Sequence, residues 1–101
     1  MGMQRTSCLG FDAEVAVSFY ERARGLIGRP KPATGRGLLI KRCNCIHTCF
    51  MAYPIDAYFL DTAGRVVKTV CDIRPWRLFV WGGWRAVQVL ETATAGGPGG
   101  T

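Results

Sequence analysis

Cys43, Cys45, His47 and Cys49 recur at two-residue intervals, which gathers the single histidine and three of the five cysteines into one short stretch. Thiolate and imidazole are the usual ligands of zinc, and a cysteine beside a histidine is a nucleophile beside its base. Extended backbone would put all four side chains on one face in steps of about 6.5–7 Å. One zinc ion needs its ligands within about 2.0–2.3 Å, so a single strand cannot close that site. The same steps hold His47 beyond hydrogen-bond reach of Cys45 and Cys49 unless the chain folds back. No metal or cofactor is expected, and the thiols read as small buried hydrophobes.

Asp56 has the next chemical case, because it interrupts the apolar run from Ile55 to Leu60 just after Pro54. On a period of two it shares a face with Tyr58 and Leu60, opposite Ile55, Ala57 and Phe59. A carboxylate in such a strand needs a partner, either backbone N–H groups near Pro54 or the guanidinium of Arg22 or Arg24. It can also orient His47 from the adjoining strand, which makes His47, Asp56 and Cys49 the candidate catalytic set. Trp76, Trp81 and Trp84 stand among Arg74, Arg77 and Arg85, residue types that stack on sugars or bases or line a ligand groove. Core packing is expected for Trp76, and Phe79, Trp81 and Trp84 are candidates for a partner or oligomer surface.

Composition bounds what these residues can serve. A chain of 101 residues has room for one domain with one core. Hydrophobic residues at 49% and charged residues at 20% fit a folded protein. The net charge of +6 favours anionic partners. The basic residues are scattered, however, and no recognition motif appears, so nucleic-acid binding is the weakest functional reading. An odd number of cysteines excludes a complete set of intramolecular disulfides. No apolar leader opens the sequence and no run reaches the length of a membrane span. Free thiols in a reducing cytoplasm, with no membrane partner, are therefore expected.

The elements that must position these residues follow from patterning. Residues 9–17 alternate as a half-buried first strand, and Ser18 with Glu21 forms a capping box ahead of a short helix over 19–26. Phe19, Ala23 and Leu26 are expected to face the core, with Glu21, Arg22 and Arg24 solvated. The Pro- and Gly-rich residues 29–37 form a loop, and Leu38-Leu39-Ile40 a short strand. Residues 46–51 and 55–60 read as adjoining strands broken at Pro54, the latter continuing into a hairpin through Asp61-Thr62-Ala63-Gly64 to Val70. Residues 86–91 read as the last strand, with Val87, Val89 and Glu91 on one face. The domain thus spans 9–92, between flexible termini at 1–8 and 95–101.

Read together, several short motifs resemble a widespread prokaryotic family catalogued as domain-of-unknown-function family 192. They are Glu21-Arg22-Ala23-Arg24-Gly25-Leu26-Ile27-Gly28-Arg29, Gly37-Leu38-Leu39, Ile46-His47-Thr48 with Phe50-Met51, Pro54-Ile55-Asp56, Phe59-Leu60-Asp61, Gly64-Arg65-Val66-Val67, Pro75-Trp76 and Val89-Leu90-Glu91. The resemblance implies a mostly β (α+β), compact, antiparallel and barrel-like domain with one short helix after its first strand. It implies no established enzyme activity.

The functional expectation is a non-enzymatic binding or accessory module. Its groove would lie between the His47 strand and the segment 74–85, with His47, Asp56, Trp76 and Arg77 as ligand contacts. The ligand would be an unknown small molecule or a protein partner. The alternative is a small hydrolase or thiol enzyme using His47, Asp56 and a cysteine.

Overall fold

A computed structural model describes residues 4–94, with every side chain among them except that of Phe19. The expected flexible tail 95–101 lies outside the described residues. Strands β1 (Arg5–Cys8), β2 (Phe11–Ala16), β3 (Arg36–Lys41), β5 (Ile55–Leu60), β6 (Val66–Ile73) and β8 (Gln88–Ala93) build one sheet. Helix α1 (Phe19–Arg24) follows β2, and the two-residue strands β4 (Cys45–Ile46) and β7 (Val80–Trp81) pair separately. The domain is mostly β, as expected.

The sheet order is β1-β2-β3-β8-β5-β6, and it does not close into a barrel. Nor is it wholly antiparallel: β2 and β3 run parallel, from Asp12 opposite Arg36 to Ala16 opposite Ile40. A parallel return needs a long crossover, which α1 and the Pro- and Gly-rich loop supply. β8 comes last in the chain yet lies in the middle, between β3 and β5. Strand alternation cannot reveal such an insertion, because it records faces and not neighbours.

Local rules explain each element. Ser18 Oγ accepts the Glu21 N–H at 3.1 Å, and Glu21 Oε1 accepts the Ser18 and Val17 N–H groups at 3.1 and 3.2 Å. The Ser18 N–H, followed by that of Val17, holds the Glu21 carboxyl below its usual range. Asp61 Oδ1 accepts the Ala63 and Arg65 N–H groups, both at 2.9 Å, and fixes the β5–β6 turn. At the other end, Arg5–Cys8 is paired with β2 across a tight turn at Leu9-Gly10, where both residues have positive φ. A Leu-Gly turn lacks the Asn or Asp that marks most hairpins, so β1 falls where a flexible terminus was expected.

The two faces of the sheet are packed differently. Leu38, Ile40, Ile55, Ala57, Phe59 and Val89 face the main core with Leu26, Ile46, Met51 and Val80. Ala13, Leu39, Leu60 and Leu90 form a smaller cluster with Phe11 and Tyr58 on the opposite face. Asp56 belongs with Tyr58 and Leu60, as its position in the alternation predicts.

Residues 46–51 depart from expectation. Only Cys45 and Ile46 are extended, and they pair with β7 instead of adjoining β5. The chain then turns around Thr48, which is fully buried. Thr48 Oγ1 donates to the Arg74 carbonyl at 2.6 Å and accepts the Arg77 N–H at 2.9 Å. Its backbone N–H donates to the Arg77 carbonyl and its carbonyl accepts the Trp76 N–H, both at 2.9 Å. Thr48→Val keeps the shape and deletes the hydroxyl, which strands two backbone groups and should cost about 1–3 kcal/mol. Urea unfolding checks this, with Thr48→Ser expected to stay close to the parent protein.

Candidate functional site

Glu91 sits on β8, on the face that carries the main core, two residues after Val89. It is 4% exposed. Among the described residues no hydrogen bond or ion pair reaches its carboxyl group, and burial alone pushes that group up to about 8. No sealed side-chain oxygen or nitrogen among the described residues lacks a partner, so the Glu91 oxygens are not sealed. They open into a cavity of about 280 Å³ between the sheet, the end of α1 and the segment 43–51.

The walls of this cavity are specific. Gly25, at φ +53, ends α1 where a side chain would crowd the carboxyl: an added Cβ would stand 3.3 Å from Glu91 Oε1. Ile40, Leu26, Ile46 and Met51 give the apolar surface. Arg22 and Arg24 give the charge, and neither is as solvated as expected. Arg22 donates from Nε to the Lys41 carbonyl at 2.8 Å and from Nη2 to the Arg42 carbonyl at 2.6 Å, which ties α1 to the end of β3. Arg24 spends its Nε on the Ile27 carbonyl at 2.9 Å. Neither forms an ion pair among the described residues.

His47 also lines this cavity, from an exposed position just past β4. Its Nδ1 accepts the Cys49 backbone N–H at 3.2 Å, which assigns the ring proton to Nε2 in the neutral imidazole. Cys43 lines it too, but burial, with Glu91 nearby, raises the thiol, which donates to the Cys45 carbonyl at 3.2 Å. A thiol held protonated in this way is a packing group and not an activated nucleophile. All five cysteines, Cys8, Cys43, Cys45, Cys49 and Cys71, are free. Among the described residues no three His, Cys, Asp or Glu side chains converge as a metal would require.

Asp56 opens on the other face of the sheet. Its Oδ1 accepts the Asp72 N–H at 2.8 Å and the Thr94 hydroxyl at 2.9 Å. Asp72 stands at φ +53, where β6 bulges against β5, and the carboxylate takes up an N–H that the ladder leaves free. The expected structural pairing therefore exists, with Asp72 and Thr94 as partners in place of Arg22 or Arg24. Asp56 lines a larger cavity of about 460 Å³ with Phe11, Tyr58, Thr92, Thr94 and the loop around Lys31–Arg36. Size favours this second cavity, but its buried carboxylate is already committed.

His47 and Asp56 thus face different cavities on opposite sides of the sheet, and the set of His47, Asp56 and Cys49 is not assembled. Trp76 and Arg77 line neither cavity. Thr48 laces the 47–51 turn to the 74–77 segment where a groove was expected. Trp76 is not core: it is exposed and packs on Phe50, with ring centroids 4.7 Å apart. Glu91, in the motif Val89-Leu90-Glu91, is not among the site residues expected from the sequence. The available signal was an acid on the inward face of an alternating strand.

An open mixed sheet carrying one short helix and a buried carboxyl beneath it defines the class of domain. The chain belongs to the DUF192 family, described as "Uncharacterized ACR, COG1430", which it matches over residues 3–96. It is 37% identical over 73 residues to a UPF0127 protein of Pyrococcus horikoshii, covering 68% of this chain and 62% of the relative. The chain therefore spans less than two thirds of that relative's length. Two solved structures share the fold. One is a protein of unknown function from Novosphingobium aromaticivorans, at 21% identity and TM-score 0.76, covering 83% of this chain and 64% of that one. The other, described as a putative transcription regulator from Sinorhizobium meliloti, has 20% identity and TM-score 0.77, covering 90% of this chain and 78% of its own.

Proposed function

We propose that this domain binds a small carboxylate-bearing molecule in the cavity beneath α1. The observation that carries the reading is the Glu91 carboxyl, buried, unpartnered among the described residues and open to that cavity. A carboxyl raised to about 8 is a neutral acid at physiological pH and offers one O–H donor. A ligand carboxylate would accept that hydrogen bond while Arg22 and Arg24 balance its charge. The volume sits at the low end for ligand sites, which suits a small ligand with an apolar part against Met51 and Ile46. His47 keeps a place in this reading as a rim residue, and a cytoplasmic setting with free thiols is part of it.

Titration with a series of small mono- and dicarboxylic acids, followed by NMR, tests the proposal. Amides around Ile40, Met51 and Glu91 should shift at pH 6, and affinity should fall about tenfold by pH 9, on the order of 1.4 kcal/mol, as the donor ionises. Glu91→Gln keeps an N–H donor and should bind at both pH values, whereas Glu91→Leu should not bind. Shifts confined to the Asp56 cavity, or none with any acid of the series, would contradict the reading.

A further inference from the structure

Segment 76–84 carries an exposed apolar surface that the cavity beneath α1 does not use. Trp76 is 60% exposed, Leu78 80%, Phe79 65% and Trp84 88%, and Phe50 is exposed beside Trp76. Trp81 and Trp84 meet edge to face with centroids 4.9 Å apart, and Phe50 and Trp76 form a second, tilted pair. Side chains this exposed project outward from the body of the domain. Water-facing surfaces scatter such residues singly, and a run of them marks an interaction site.

The charges around this surface narrow the partner. Arg74, Arg77 and Arg85 lie in or beside the segment, and no acid stands between residues 73 and 90. Arg74 reaches Asp72 at 3.4 Å in an exposed pair that contributes little and exchanges readily, and Arg85 reaches the half-buried Asp61 at 3.6 Å while its own side chain stays exposed. Arg77 has no ion pair among the described residues. Lys68 adds a fourth cation, its Nζ donating to the Trp81 carbonyl at 2.7 Å. A second copy of a chain with net charge +6 would bring like charges together here. Single-stranded nucleic acid has the right charge, but it stacks on open ring faces, and Leu78, the most exposed aliphatic residue, has no face to offer.

We propose that segment 76–84 docks on an anionic lipid bilayer surface. Trp76, Leu78, Phe79 and Trp84 enter the headgroup region while Arg74, Arg77, Arg85 and Lys68 meet lipid phosphates. Indole at the headgroup level and basic side chains flanking it is the combination that interfacial docking favours. The absence of a spanning segment, which removed a membrane from the expected partners, bears only on crossing: among the described residues no helix is long and apolar enough for that. Surface docking needs no span.

Sedimentation of the full chain with phosphatidylcholine vesicles containing about 30% phosphatidylglycerol tests the proposal, with tryptophan fluorescence as a second readout. Binding with a blue shift is expected, at least about tenfold weaker on phosphatidylcholine alone or in about 0.5 M salt. Leu78→Ser with Trp84→Ser should weaken binding by a similar factor, on the order of tenfold. Tyr20→Ser, which removes an exposed aromatic on α1 outside the segment, should leave it unchanged. Equal binding to neutral vesicles, or none to either, would overturn the proposal. So would a concentration-dependent dimer, or a complex with oligothymidylate, that the same double substitution abolishes while vesicles remain unbound.

Discussion

Glu91→Gln is expected to stabilise the fold at alkaline pH and to leave it nearly unchanged in mild acid. The Glu91 carboxyl is raised from 4.5 to about 8 in the folded chain. Below about pH 4.5 the group is protonated in both states and contributes no pH dependence. Between 4.5 and 8 the unfolded chain loses its proton first, so it binds fewer protons than the native state and stability falls as pH rises. Above 8 the deficit is complete, on the order of 5 kcal/mol. Glutamine cannot ionise and escapes this penalty. The difference between variant and parent should therefore be small at pH 5, rise through neutrality and level off near pH 9. Guanidinium unfolding at these three pH values reads it out. The acid-side groups cannot imitate this profile. Asp12, held below its usual range by Arg5, and Asp61, held down by its turn N–H groups, contribute stability that is lost only as pH falls below the ordinary carboxylate range. A difference that stays flat from pH 5 to 9 would mean that Glu91 ionises normally.

Gly82→Ala is the second large expectation, and its mechanism is steric. Gly82 is buried between β7 and β8, and its N–H donates to the Asn44 carbonyl at 2.7 Å. A Cβ at this position would lie 2.8 Å from Phe59 Cε1 and closer still to Cγ and Cδ1 of the same ring. Phe59 is fully buried and is among the largest side chains in the core, so the ring has nowhere to turn. The backbone at Gly82 is not left-handed, so alanine is opposed by the ring and not by φ. A cost of about 3 kcal/mol or more is expected, a large share of the stability of a small domain. A Phe59→Leu background separates this cause from others, because the added cost of Gly82→Ala should shrink once the ring is gone. An unchanged cost in that background, or a variant as stable as the parent, would refute the packing described here.

Legibility in the sequence divides along physical lines. The capping box at Ser18 and Glu21, the Asp61–Gly64 turn and the face assignment of Asp56 were all readable, since each depends on residues a few positions apart. The parallel pairing of β2 with β3 and the central place of β8 were not, because they depend on which distant strands meet. The spacing of Cys43, Cys45, His47 and Cys49 drew attention to a regular strand that ends at Ile46. Thr48, between His47 and Cys49, is the hub that holds two loops together. The family motifs indicated the β-rich class correctly, while strand alternation gave no sign that the sheet stays open. Glu91 could be placed on the inward face beside Val89, yet its isolation depends on Gly25 and Met51, which only folding brings near.

The chemistry proposed for the site depends on one ionisation state: a neutral Glu91 acid open to the cavity beneath α1. The most direct measurement is an NMR titration of the Glu91 side-chain carboxyl carbon in the folded protein, assigned by comparison with Glu91→Gln. A midpoint near pH 8 is predicted, moving higher when a small carboxylic acid is bound. A midpoint near 4.5 would show a solvated or paired carboxylate and would contradict the account at its centre.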